Sequence, residues 1–256
     1  MQKFTDLLFH PSHIVFYYKD KIVKVLLWVL AFFSVVVGLF SLYTYTSKGY
    51  DYNYVTSIAT SLQTKDNTIS TEFKDKKLSG EAIKIIGSNL RIYILKYDFA
   101  NNDFGLVMNF KEEEVDVYYQ TAFKKTIKYS SLDIDNFTFE NVRNNNRTDV
   151  LEFESLIIVA LDSIDNVVKT FSFLNDVLDL LIMFAAIVVF SIILSLFINP
   201  PIDFKSRFKI CIYDSLIYFV LMAFTLMIGI TWIQYIAMGM PLIFTMISFR
   251  SIVRIK

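Results

Sequence analysis

The stretch SLIYFVLMAFTLMIGITWIQYIAMGMPLIFTMISF, Ser215 to Phe249, runs for 35 residues without one Asp, Glu, Lys or Arg. About 18 uncharged apolar residues suffice to cross the hydrocarbon core as a helix, and each charge left there costs several kcal/mol. The chain is therefore read as an integral membrane protein. As a single helix the stretch would be about 52 Å long, against a core of about 30 Å, so it holds two spans with a turn between them. Gly229-Ile230-Thr231 divides it into halves of roughly 17 to 20 residues, whereas a turn at Gly239-Met240-Pro241 leaves the last span too short. The third span is expected at 212–229 and the fourth at 232–249, with Trp232 and Tyr235 near an interface and Pro241 kinking the last helix.

Two further apolar segments lie upstream. Residues 177–198 form a second span, ended by Asn199-Pro200-Pro201, because consecutive prolines remove backbone donors and cannot continue a helix. Residues 25–45 form the first, after Lys19, Lys21 and Lys24, and the 18 residues from Val25 to Leu42 carry no charge. A cleavable signal peptide fits less well, since the stretch exceeds the usual apolar region and ends in Tyr43-Thr44-Tyr45 without a small-residue cleavage signature. On a helix, Ala31, Ser34, Gly38 and Ser41 share one face, and Ser191 and Ser195 make a smaller seam in the second span. Such faces let helices pack closely, either inside a four-span bundle or between copies of the chain.

The net charge is zero, but it is unevenly spread. Residues 46–176 hold 15 Lys and Arg against 20 Asp and Glu, leaving 10 basic and 5 acidic residues elsewhere. Three basic clusters flank the spans: Lys3, Lys19, Lys21 and Lys24; Lys205, Arg207 and Lys209; and Arg250, Arg254 and Lys256. Four spans put all three clusters on one side, and the positive-inside rule makes that side cytoplasmic. A three-span topology would export one cluster. The expected order is an N-terminal cytoplasmic or interfacial segment (1–24), span one (25–45), an extracytoplasmic domain (46–176), span two (177–198), a cytoplasmic loop (199–211), spans three and four, and a cytoplasmic tail (250–256). Both termini then face the cytoplasm of a multi-pass plasma-membrane protein.

Within the exported domain, residues 51–62 are weakly amphipathic and 63–67 read as a polar loop. Leu90 to Tyr97 alternates β-branched and aromatic residues, and 104–110, 115–119 and 123–129 have similar length and spacing, which predicts an antiparallel meander of four or five strands. From Val150 to Phe173 the apolar residues crowd one side of a helix that runs into the second span, a route by which a displacement could pass into the membrane. The fold class is thus membrane α-helical, with four transmembrane helices and a small α+β extracytoplasmic domain built on an antiparallel sheet. The single cysteine, Cys211, excludes an intramolecular disulfide, so that domain must stand on its own apolar core.

Chemistry-bearing motifs are few. His10 and His13 have the spacing of metal ligands on one helical turn, but Pro11 separates them and no third ligand is near. Glu112-Glu113-Glu114 with Asp116 reads as a solvated turn rather than a calcium loop, lacking the required Gly and acidic alternation. Asp179 and Asp214 lie within a turn of span ends, where both are expected to reach water, and Gln234 is the strongly polar residue well inside the last two spans. An ion-coupled pathway is not apparent in that set. The chain lacks HExxH, GxSxG and a P-loop, and neither histidine falls in the exported domain. Asn136-Phe137-Thr138 and Asn146-Arg147-Thr148 match glycosylation acceptors, idle in most bacterial proteins.

Several segments resemble a bacterial family of multi-span proteins built on a domain of unknown function. They are Phe9-His10-Pro11, the pair Gly105-Leu106-Val107-Met108-Asn109-Phe110 and Val115-Asp116-Val117-Tyr118, Ile127-Lys128-Tyr129-Ser130-Ser131-Leu132, and Phe204 to Tyr213 at the third span. Some members are described as maltodextrin-utilisation proteins, after the sugar operons that encode them. The chain departs from the family where Ser215-Leu216-Ile217 stands in place of an early proline. The resemblance implies a membrane location and a sugar context, and it carries no site residues. Together these readings give a non-enzymatic accessory, sensing or partner-binding component of a transport or envelope system, with a small transporter of a neutral solute as the alternative. The expected partners are the lipid bilayer, a membrane protein or a second copy, and a small-molecule ligand of unspecified chemistry. No cofactor, metal or nucleic acid is expected.

Overall fold

The computed structural model describes residues 2–46, 55, 62, 69–86, 90–95, 105–120, 123–198 and 200–254. In chain order its helices are α1 (Gln2–Phe9), α2 (Pro11–Ile14), α3 (Ile22–Thr46), α4 (Phe139–Arg143), α5 (Arg147–Asp162), α6 (Asp165–Ile198), α7 (Phe204–Ile228) and α8 (Ile233–Arg254), with a 3-10 turn at Val15–Lys19. The chain divides into one unit formed by Met1–Ser47 and Phe171–Lys256 and another formed by Lys48–Thr170. The amphipathic stretch 51–62 and the polar loop 63–67 lie outside the described residues, apart from Val55 and Leu62, both buried.

In the first unit, α3, α6, α7 and α8 are each long and apolar enough to cross a membrane. The expected turn in the uncharged stretch is present. Gly229 closes α7 at φ 75°, a left-handed conformation that costs a glycine little, and its N–H bonds Thr225 O at 2.9 Å. At the other end of α7, Asp203 caps the helix by accepting from Ser206 N at 3.2 Å. Pro241 lies inside α8. Trp232 and Tyr235, beside the turn, are exposed.

The central helix of this unit is α7, buried without interruption from Ile210 to Phe219 and packed against both α3 and α8. An element apolar on every side belongs in the middle of a bundle. By contrast α3 buries only Val25, Val36 and Thr44, and Phe33 meets the ring of Phe219 edge-on at 6.0 Å. The expected small-residue face is therefore not the packing face of α3 within this unit. Ala31, Ser34 and Gly38 are exposed, Ser41 is half-buried, and no atom lies within 4 Å of a Cβ built on Gly38. Bulky side chains fill the α3–α7 contact instead. On α6, Ser191 and Ser195 are wholly buried.

Three further boundaries differ from expectation. The N-terminal segment, read as interfacial, folds as α1, α2 and the 3-10 turn against the bundle, with Leu7 and Ile14 fully buried. The helix expected over 150–173 is two helices, α5 and α6, parted at Ser163-Ile164. Residues 204–211, expected in a loop, already belong to α7. Hydropathy locates where a helix enters the apolar core, whereas the helix itself continues until a cap or proline stops it.

The second unit contains two sheets. β1 (Glu72–Lys74) pairs antiparallel with β2 (Lys77–Ser79) and with β8 (Phe137–Thr138). The five-stranded sheet runs β3 (Ile83–Ile86), β4 (Leu90–Ile94), β5 (Leu106–Phe110), β6 (Glu114–Tyr119) and β7 (Phe123–Lys128). The strands expected from 90, 104, 115 and 123 are all there, and their pairing is mostly antiparallel. The exception is β4 with β5, which pair in parallel, Leu90 opposite Leu106, so the sheet is not a simple meander. An aromatic core holds the unit without a disulfide: Phe73 stacks on Phe137 at 5.3 Å, and Phe139 meets Phe153 edge-on at 5.1 Å. Asn146 caps α5, accepting from Thr148 N at 3.1 Å.

Candidate ligand cavity in the membrane unit

At the α7–α8 turn end of the first unit, the four long helices line an open cavity of about 620 Å³. Its walls come from the C-terminal half of α3 (Phe40), from α6 (Leu180, Met183), from α7 (Met222, Leu226) and from α8 (Met238). Its polar side chains are Tyr43 on α3, Asp176 and Asp179 on α6, Tyr218 and Thr225 on α7, Thr231 in the turn, and Gln234 at the start of α8. Spacing of three residues places the two carboxyls on one face of α6. Asp179 is exposed and Asp176 half-buried, and among the described residues neither forms an ion pair or a hydrogen bond. Tyr218 is 2% exposed, and among the described residues its hydroxyl forms no hydrogen bond, although it lies in the field of Asp179. A buried hydroxyl normally finds a partner, so this one, lining an open volume, is available to an occupant.

Beyond Tyr218 the interior closes. Leu216, Tyr213 and Ile210 on α7 are fully buried, and Ile187 on α6 and Phe244 on α8 are nearly so. At the far end the N-terminal segment is tied across the bundle. The Lys3 ammonium pairs with Asp20 and donates to Tyr213 Oη at 2.7 Å, and Tyr213 Oη donates to Asp20 Oδ2 at 2.7 Å. Lys209 donates to the carbonyls of Tyr18 and, at 3.0 Å, Asp20. Burial pushes the Asp20 carboxyl up, but hydrogen bonds from Lys3 and Tyr213 outweigh it and hold the group below its ordinary value. For Lys3 burial wins over the Asp20 partner, and its ammonium is held down. The pair thus fixes position at some desolvation cost.

Asp214 was expected to reach water, and instead it is wholly buried. Its position one turn inside α7 says nothing of what packs above it, and α2 and α8 cover it. Ser248 Oγ contacts Asp214 Oδ1 at 2.8 Å and Pro11 O at 2.7 Å, while Asp214 Oδ2 and Thr245 Oγ1 have no hydrogen-bond partner among the described residues. Asp179 and Gln234 do come together, at the cavity. Asp176 and Tyr218 were not anticipated. The first reads as the end of a polar domain, the second as one more aromatic in an apolar run, and only the convergence of helices distinguishes them.

The remaining candidates are occupied by their neighbours. His13 Nδ1 donates to Asp6 Oδ1 at 3.1 Å and stacks on His10, while Tyr17 Oη donates to Asp6 Oδ2 at 2.6 Å. That tyrosine bond, the largest influence, holds the Asp6 carboxyl below its usual range, and burial with Asp6 raises the Tyr17 phenol to about 12. In the second unit Asp116 is not part of a solvated turn. It is fully buried, accepts from Thr126 Oγ1 at 2.6 Å, and pairs with Lys111 at 2.7 Å and Lys124 at 3.0 Å. Glu113 pairs with Lys77 at 2.7 Å and Glu114 with Lys111 at 3.0 Å. Among the described residues no group of three or more His, Cys, Asp or Glu side chains is placed to hold a metal ion.

The basic residues converge as well. Lys209 reaches the segment carrying Lys19 and Lys21, and Ser251 Oγ, beside Arg250, bonds Ser12 O at 3.4 Å, so described members of each cluster lie at the end opposite the cavity. Comparison of the chain with protein-family models, with curated proteins and with solved structures finds no match.

Proposed function

We propose that this protein is a non-enzymatic membrane receptor or accessory subunit. It takes a small ligand into its bundle and serves a transport or envelope system through a partner. The observation that supports this reading most directly is the cavity that ends blind. Its polar lining stops at Tyr218, and beyond it the interior is closely packed, with the buried polar side chains Ser191, Asp214, Thr245 and Ser248 lying outside the cavity lining. A solute carrier needs a binding site that can open to either side, commonly on discontinuous helices near the midplane. Here α7 is unbroken from Phe204 to Ile228.

The positive-inside rule supports a plasma-membrane orientation in which the basic end and both termini face the cytoplasm and residues 46–176 are exported. Affinity purification from gently solubilised native membranes, with mass spectrometry of what accompanies the chain, tests the reading. Recovery of a specific permease or envelope complex is the expected result. Isolation of the chain alone, together with solute uptake by sealed vesicles containing nothing else, overturns it in favour of a transporter.

A further inference from the structure

We infer that the cavity binds a protonated amine carried on an apolar body, with Asp176 and Asp179 as its counter-ions and the Tyr218 hydroxyl as a hydrogen-bond acceptor. This rests on the receptor reading above and names its ligand class.

Three independent features converge on a cation. First, the cavity has two carboxyls and no Lys, Arg or His among its lining residues, so its charge is uncompensated from within. Several acids elsewhere have a base beside them, as Asp20 has Lys3, Glu113 has Lys77, and Asp116 has Lys111 and Lys124. Among the described residues Asp176 and Asp179 have no such ion-pair partner. Second, Tyr218 is almost wholly buried, yet its hydroxyl is left for whatever fills the space. Third, the aromatic rings of Phe40, Tyr43 and Tyr218 line the same volume, and aromatic faces attract ammonium groups.

The N-terminus of α8 opposes this with a partial positive charge of about half a unit, against two full carboxylate charges, and the acids prevail. Leu180, Ile182, Met183, Met222, Leu226 and Met238 form the aliphatic part of the lining, which suits an aliphatic body, while Thr225, Thr231 and Gln234 flank the turn, and a volume of about 620 Å³ accommodates a small amphiphile.

The ammonium could belong to a soluble amine or to the headgroup of an aminolipid, and the experiment separates them. Hexylammonium, hexanol and hexyl sulfate are titrated by calorimetry into the full chain in dodecyl maltoside. Protection of Cys211 from a thiol dye serves as the fold control. The expected result is hexylammonium binding about tenfold or more tighter than hexanol, with hexyl sulfate weakest. The Asp176→Asn/Asp179→Asn double variant removes that preference, and Tyr218→Phe weakens hexylammonium about threefold without affecting hexanol. Displacement of hexylammonium when the protein is moved into nanodiscs containing phosphatidylethanolamine assigns the site to an aminolipid. Undiminished binding there assigns it to a soluble amine. Equal affinity for hexylammonium and hexanol, or an unaffected double variant, overturns the amine inference and leaves the receptor reading standing. Uptake of labelled hexylammonium by vesicles holding the chain alone, lost in the double variant, does the reverse.

Discussion

Tyr213 Oη donates to Asp20 Oδ2 at 2.7 Å across 193 positions of sequence, tying the buried centre of α7 to the segment that precedes α3. Lys3 completes the tie by pairing with Asp20 and standing 4.3 Å from the ring centroids of both Tyr17 and Tyr213. The N-terminal helices are thereby part of the bundle's core rather than a surface appendage.

Removing that donor should loosen this end of the bundle. Tyr213→Phe leaves a half-buried carboxylate with one fewer partner, a loss of about 1–2 kcal/mol. Because Cys211 is the chain's single cysteine and is buried, its reaction with a maleimide dye on heating reports the unfolding directly. The variant should show an earlier rise in labelling than the wild type. An unchanged curve would mean that Lys3 and Lys24 secure Asp20 without it.

Two glycines with positive φ should respond differently to alanine. A Cβ on Gly229 meets nothing within 4 Å, so Gly229→Ala suffers only the conformational penalty, about 1 kcal/mol. A Cβ on Gly80, at φ 122°, would lie 2.5 Å from Thr71 Cα and 2.7 Å from Ser70 O, both backbone atoms. Gly80→Ala should cost about 2–4 kcal/mol and free the β1–β2 hairpin to hydrogen exchange, while Gly229→Ala leaves that hairpin protected.

The carboxyl of Asp116 gives the second unit a defined sensitivity to acid. Burial pushes its pKa up, but hydrogen bonds from Lys111, Thr126 and Lys124 outweigh burial, so the folded value lies below the ordinary 3.8. A depressed carboxyl contributes stability that is full above the unfolded pKa and is lost as pH falls through the folded value. Hydrogen exchange of β6 and β7, corrected for intrinsic rates, should therefore accelerate below about pH 3.8. In Asp116→Asn the same strands should be weaker at pH 7 and respond less to acid.

The two small-residue faces should also part company. Gly38→Leu places a side chain in open space and should leave the melting of the solubilised protein within about 0.5 kcal/mol of wild type. Ser191→Leu forces a larger group into a filled site and should cost about 1–3 kcal/mol. If Gly38→Leu instead shifts the oligomer distribution on native gels, the exposed face of α3 packs against a second copy.

Hydropathy and glycine placement determined the coarse architecture. Four helices long and apolar enough to cross a membrane, the turn at Gly229, and the strands expected from 90, 104, 115 and 123 all follow from local rules, because length, caps and period are properties of neighbouring residues. Tertiary structure decided what faces what. Asp214, near a helix end, is buried because α2 and α8 fold over it, and Asp116 is enclosed because Lys124 on the adjacent strand reaches it. The parallel pairing of β4 with β5 depends on how the chain returns, which no strand pattern encodes. The cavity is the clearest case. Asp176, Asp179, Tyr218 and Gln234 come from three helices and are unremarkable in sequence, and a pocket exists only where distant surfaces fail to touch.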